Sequence, residues 1–221
     1  MRNVVVVLAH PDDETFICGG TMAKFAAEGD RVTLVCATKG EMGRRLGVPV
    51  TATRETLWQL REQELREACS ALGIERLVFL GLRDKTLEIQ PSGYLKARVL
   101  HWLRELQADV VVTFHERLGG HPDHCAIGAA ATSAYLLWEK EHRGAQLSFI
   151  TWENVASRPE RHGFSKAQVQ KIDVTPYARA KFLAFRAHRT QSQMNDWLWR
   201  SEKEGIARLT GHEYQLLYRE S

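Results

Sequence analysis

The chain opens on an unbroken apolar run, Val4 to Ala9, made mostly of β-branched residues. A run without polar alternation fits a strand buried on both faces, as in the middle of a parallel sheet. Comparable runs predict strands at Arg31 to Ala37, Arg76 to Leu80, Asp109 to Phe114 and Leu147 to Trp152. Between them the apolar positions shift to helical spacing. Met22, Phe25 and Ala26 mark a first helix ending near Gly29, and Leu57, Leu65, Ala68, Cys69 and Leu72 a second closed by Gly73. Leu95, Val99, Trp102, Leu103 and Leu106 mark a third, and Ala126 to Trp138 a fourth. Thr175 to Leu209 reads as two further helices carrying Trp197 and Trp199 as packing residues, and Ser157 to Ser165 as a loop.

Strand–helix alternation implies βαβ units. The expected fold is a single α/β domain over residues 1–221, Rossmann-like and doubly wound, with a mostly parallel sheet and helices on both faces. A length of 221 residues fits one such domain. Ligands of these sheets bind beyond the carboxyl ends of the strands. The places to look are therefore just after Ala9, Ala37, Leu80 and Phe114.

Composition narrows the partners. With 44% hydrophobic and 26% charged residues, a packed core is expected rather than disorder. A net charge of +3 does not mark a nucleic-acid binder and is compatible with a small anionic substrate. Cys18, Cys36, Cys69 and Cys125 form no C-x-x-C pair, which points to a reducing, cytoplasmic setting. The short Val run after Met1-Arg2-Asn3 does not read as a signal peptide, and no apolar stretch approaches the ~20 residues of a membrane helix. Gly19-Gly20 is no G-x-G-x-x-G fingerprint, so no dinucleotide is expected.

The first strand runs straight into His10-Pro11-Asp12-Asp13-Glu14. Ionisable groups at the end of a buried strand must be paired, exposed or bound to a metal. Asp12 or Asp13 could serve only to cap the next helix. A second cluster, His121-Pro122-Asp123-His124, follows the fourth strand and opens a helix, with its histidines three residues apart. Both clusters would open into one crevice. Catalytic zinc takes three protein ligands and keeps a position for water; His10, Asp13 and His124 supply two imidazoles and a carboxylate. Asp12 is the candidate general base. His121 is the candidate for stabilising an oxyanion, and Asp123 for orienting a histidine. Such an N/O set also accepts other divalent ions.

The two motifs together resemble the LmbE/PIG-L family of zinc-dependent N-acetylglucosaminyl deacetylases. The resemblance implies the same roles: zinc on His10, Asp13 and His124, the base at Asp12 and oxyanion assistance from His121. Lys39 to Arg44, Arg54 to Leu57, Leu60-Arg61, Gly81 to Leu87 and Ala187 to Gln191 are similar to the bacillithiol-biosynthesis branch, whose enzymes remove acetate from N-acetylglucosaminyl-malate. A homo-oligomer, trimer or hexamer, is implied by the same resemblance. One departure is Gly119, where some relatives carry a tyrosine.

Substrate contacts are expected from four residues. Arg61 lies on the Leu65–Ala68–Leu72 stripe of its helix, within ~40° of Leu65, so it either snorkels or reaches into the crevice to hold substrate oxygens or a site carboxylate, with Glu64 as a possible partner. Arg44 and Arg54 are candidates for the malate carboxylates. Gln191, with His188, falls at a helix end near the site. Two other readings stand beside the deacetylase: an amidase of thiol-sugar conjugates, and a non-catalytic module that binds a nucleotide or sugar.

Overall fold

A computed structural model describes residues 1–219. Its centre is β1 (Asn3–Leu8), where Val4 to Leu8 are at most 1% exposed, as a run without polar positions requires. The chain then forms α1 (Asp13–Ala27), β2 (Arg31–Thr38), α2 (Leu57–Leu72), β3 (Arg76–Leu82), α3 (Ser92–Glu105), β4 (Val110–Phe114), α4 (Pro122–Glu141) and β5 (Gln146–Thr151). The remainder is α5 (Glu153–Ala156), β6 (Val169–Asp173), α6 (Ala178–Ala187), α7 (Arg189–Ser192), α8 (Asp196–Arg200), α9 (Glu202–Arg208) and β7 (His212–Leu217).

The sheet order is β3-β2-β1-β4-β5-β7-β6. The first five strands are parallel, with Val6 of β1 opposite Leu34 of β2 on one side and Val112 of β4 on the other. Helices α1, α2 and α6 pack together, and α3 packs on α4. Right-handed crossovers leaving β1 in two directions place these layers on opposite faces. The chain moves outward from β1 to β3 and then crosses back to β4, so the order reverses between β1 and β4. That reversal opens a crevice at their carboxyl ends.

Helix α4 comes unusually close to this crevice. A Cβ on its Gly128 would lie 2.3 Å from the Phe114 carbonyl oxygen, so glycine lets the helix press on the end of β4. The contact carries the start of α4 to the mouth of the crevice.

The five expected strands are present within two residues of their predicted ends, and Gly73 closes α2 in a left-handed conformation, as expected. The C-terminal third differs. The segment expected as two helices is α6 followed by three short pieces broken at Gln193–Asn195 and Ser201, and Trp197 and Trp199 pack against Phe182, Phe185 and Leu198. Strands β6 and β7 were not expected. β7 adds antiparallel to β5 and β6 antiparallel to β7, and the mixed polarity of VQKID and HEYQLL carries no buried-strand signature.

Candidate active site

His10 follows β1 directly, and Asp13 opens α1. Asp13 Oδ2 accepts the His10 backbone N–H at 2.8 Å and lies 3.5 Å from His10 Nδ1. Asp13 Oδ1 is 3.1 Å from His124 Nε2, which is 3.2 Å from His10 Nδ1. The two imidazole nitrogens and the Asp13 carboxylate, which turns one oxygen to each ring, stand 3.1–3.5 Å apart, close to the edge of roughly 3.4 Å of a tetrahedron around an ion with bonds of ~2.0–2.2 Å. The residues present therefore fit a divalent metal. A nitrogen of His121 also falls within 4.8 Å of donor nitrogens of His10 and His124.

The surroundings aim these ligands. His124 Nδ1 donates to the Gly119 carbonyl at 2.9 Å, which leaves Nε2 for the ion. The ring stacks on Phe114, the last residue of β4, at 3.9 Å and 5°. The far nitrogen of His10, Nε2, faces Asp123 Oδ2 at 3.1 Å and Asp84 Oδ1 at 3.2 Å. Asp123 is itself held by the backbone N–H groups of Lys85 and Leu87, at 2.7 and 3.0 Å, and Asp84 by that of Met42 at 2.9 Å. His10, Asp84 and Asp123 form a second cluster of possible ligand atoms. Its oxygens are engaged with backbone donors and it lies behind the ring, so it serves the first as an outer layer.

Charge follows from this crowding. Burial disfavours a charged His10, but hydrogen bonds to the carboxylates of Asp123, Asp13 and Asp84 outweigh it and raise its pKa to about 12. Burial likewise opposes charge on His124, and Asp13 overcomes it, raising that pKa. Burial favours a neutral Asp13, yet the two histidines hold its carboxyl far below the usual range. Three carboxylates around two imidazoles make a centre that favours a cation.

Asp12 caps α1 with φ of 99°, a left-handed conformation rare for a residue with a Cβ. Its Oδ2 accepts from Arg61 Nη2 at 2.9 Å. Burial pushes the Asp12 carboxyl up to about 6 against the pull of Arg61. His121 caps α4, its Nδ1 accepting the Asp123 N–H at 3.1 Å. That bond fixes the neutral ring with its proton on Nε2. Burial, followed by the charges of His10 and His124, lowers the His121 pKa and favours this neutral donor.

His10, Asp12 and His121 line a recess of about 260 Å³ together with Arg44, Arg61, Asp84, Lys85 and Gln191. A larger hollow of about 510 Å³ adjoins it across Met42 and holds Arg54, Trp58 and Arg83. It contains none of the candidate ligands, whereas the smaller recess is lined by His10 beside Asp12 and His121 and is the candidate site of the chemistry. Arg44 and Gln191 are thus beside the proposed chemistry, and Arg54 is one hollow away. The Gln191 side chain is oriented by bonds from its Nε2 to Thr190 and Arg45, at 3.0 and 3.3 Å. Arg61 is 3% exposed and is engaged by protein: it donates to the Gly40 and Pro11 carbonyls as well as to Asp12. Its partner is not Glu64, which instead accepts from the Thr190 N–H and hydroxyl.

Gly119 has a packing reason. A Cβ there would stand 2.8 Å from the His124 Cβ, so this loop has no space for a tyrosine in its present path. The sequence assigned no role to Asp84 or Glu14, and placed His188 only at a helix end near the site. Asp84 sits just beyond β3, a strand end that the topology rule flags, but its motif lacks a histidine. Glu14 and His188, paired in the core, are 174 residues apart.

Residues 5–135 match the PIG-L family, described as GlcNAc-PI de-N-acetylase. The chain is 41% identical over 192 residues to the "Probable N-acetyl-alpha-D-glucosaminyl L-malate deacetylase 2" of Bacillus subtilis (strain 168), spanning 87% of this chain and 84% of the relative. Among solved structures it resembles the 4-carboxy-2-hydroxymuconate hydratase GalB of Pseudomonas putida KT2440, at 18% identity and TM-score 0.76, covering 100% of this chain and 98% of that one. It also resembles the N,N'-diacetylchitobiose deacetylase of Pyrococcus horikoshii, at 21% identity and TM-score 0.70, covering 98% and 83%. These two likenesses speak for the fold, which a hydratase and a deacetylase share. The match over most of its length to the family and to the Bacillus sequence decides the rest: the chain belongs to the PIG-L family and is a hydrolytic de-N-acetylase.

Proposed function

We propose that the protein removes the acetyl group from an N-acetylglucosamine derivative, most specifically N-acetylglucosaminyl L-malate in bacillithiol biosynthesis, with zinc on His10, Asp13 and His124. The observation that carries the mechanism is the close triangle of those three side chains, which meets through His10 a recess that a restrained carboxylate, Asp12, and a histidine, His121, also line. The aglycone comes from the name of the Bacillus relative.

A divalent ion on the triangle would supply Lewis-acid polarisation of the amide carbonyl and would acidify a water. Asp12 takes the proton as that water attacks the amide carbon. Its elevated pKa, about 6, lets it accept and return a proton near neutral pH. The His121 Nε2–H donates to the carbonyl oxygen as it gains negative charge, an interaction that strengthens in the transition state. Collapse of the tetrahedral adduct breaks the C–N bond, and protonated Asp12 gives its proton to the departing amine. Asp123 holds the His10 ring. Arg44 and Gln191 are placed to meet the sugar or its aglycone at the recess wall, with Arg54 further out. Assembly as a trimer or hexamer and a cytoplasmic setting belong to this proposal, the first resting on the resemblance alone and the second on the cysteine pattern. Among the described residues, no helix is long and apolar enough to cross a membrane.

A substrate panel separates the readings. The account expects acetate from N-acetylglucosaminyl L-malate at least tenfold faster, by kcat/KM, than cleavage of thiol-sugar conjugate amides. The reverse preference would favour the amidase.

A further inference from the structure

Two buried groups have no part in the chemistry above. Glu14 and His188 are each 0% exposed, and His188 Nε2 lies 2.6 Å from Glu14 Oε1. A carboxylate at this depth needs a partner, and His188 supplies one. The other oxygen of Glu14 faces the site: Oε2 accepts the backbone N–H of Asp12 at 2.9 Å.

Asp12 is the residue at φ 99°. A left-handed residue with a Cβ persists only where its neighbours over-determine it. Its carbonyl accepts from the Thr15 and Phe16 N–H groups at 3.1 and 2.9 Å, bonds that any residue capping a helix start receives. Arg61 holds the end of the side chain. Glu14 holds the N–H edge of the peptide plane entering Asp12, while Arg61 Nη2 holds its other edge at the Pro11 carbonyl, and that plane sets where the Asp12 Cβ points.

We propose that Glu14 and His188 are positioning residues for the general base: His188 fixes the Glu14 carboxylate, and Glu14 fixes the Asp12 amide so that the Asp12 carboxylate faces the recess. The proposal rests on the assignment of Asp12 as base. It explains why a histidine 174 residues along the chain is buried against the first motif. It also ties the turn that bears Gln191 to the base, since the His188 carbonyl accepts the Gln191 N–H at 3.1 Å.

Glu14→Gln tests it without opening a cavity. Three donors meet the carboxylate, His188 Nε2–H and the Thr15 hydroxyl at Oε1 and the Asp12 N–H at Oε2, so both oxygens must accept, and glutamine has one acceptor oxygen. A misplacement of about 1 Å at a reacting group costs on the order of 100-fold. The expected result is a kcat lower by roughly 10- to 100-fold, with KM within about twofold and bound metal per chain unchanged. His188→Ala should fall likewise, and His188→Gln, whose amide can still donate to Glu14, should recover most of the loss. In an Asp12→Ala background, Glu14→Gln should cause no further loss. A Glu14→Gln enzyme with wild-type kcat, or an equal loss with and without Asp12, would overturn the proposal. Should Glu14→Gln not fold, the His188 pair decides: equal kcat in His188→Ala and wild type would overturn it. Full activity in Asp12→Ala would instead remove the base assignment itself, so the two failures are distinguishable.

Discussion

Arg61 Nη2 and Asp12 Oδ2 meet at 2.9 Å across 49 residues of sequence. The same guanidinium reaches the carbonyls of Gly40 and Pro11, so it joins the two loops that follow β1 and β2. Its two terminal nitrogens divide three acceptors between them in one fixed plane, a spread that the single nitrogen of an ammonium cannot reproduce.

Arg61→Lys should therefore lower kcat by about 10- to 100-fold with little change in KM, because the residue acts on Asp12 and on backbone rather than on substrate. Steady-state kinetics on N-acetylglucosaminyl L-malate check this. A rise confined to KM would return Arg61 to substrate binding.

Asp123 braces His10 from behind, at 3.1 Å from Nε2, and is itself held by two backbone N–H groups. Replacing such a carboxylate typically weakens metal binding by about 10- to 100-fold. Asp123→Asn should show that loss in competition with a calibrated chelator. Unchanged affinity would mean that the His10 ring is fixed by Asp84 alone.

A third expectation concerns acid stability away from the site. Asp30 accepts from the backbone and side chain of Arg2, and the hydrogen bond to that guanidinium chiefly lowers its pKa. A carboxylate with a lowered folded-state pKa stabilises the fold above its unfolded value, ~3.9, and loses that contribution as pH falls through the folded value. Arg2 is 47% exposed, so solvent limits the pair to roughly 0.2–1 kcal/mol. Asp30→Asn should be less stable than wild type at pH 7, and the gap should close as pH falls through the lowered folded-state value. Urea unfolding at several pH values reads it; a gap that widens in acid would reverse the sign.

Much of this site was legible because its signals are local. Val4 to Ala9 announced a central strand, and the position of two His/Asp motifs at strand ends placed both in one crevice. Residues whose roles depend on distant partners were not. Arg61 stood out by sharing an apolar stripe, yet only the folded loops reveal that Gly40, Pro11 and Asp12 occupy its donors. Asp84 meets His10 through strand packing, and Glu14 meets His188 through burial in three dimensions. Strands β6 and β7 borrow their stability from β5 rather than from a pattern of their own.

The most direct measurement is metal content and acetate release on one preparation, purified without added metal, for wild type and Asp12→Ala. The account predicts close to one zinc per chain in both. It predicts rapid acetate release from N-acetylglucosaminyl L-malate in wild type, stopped by a chelator and restored by zinc, and only a small residual rate in Asp12→Ala. Absence of stoichiometric metal with no activity on zinc addition, or an Asp12→Ala enzyme as active as wild type, would contradict it.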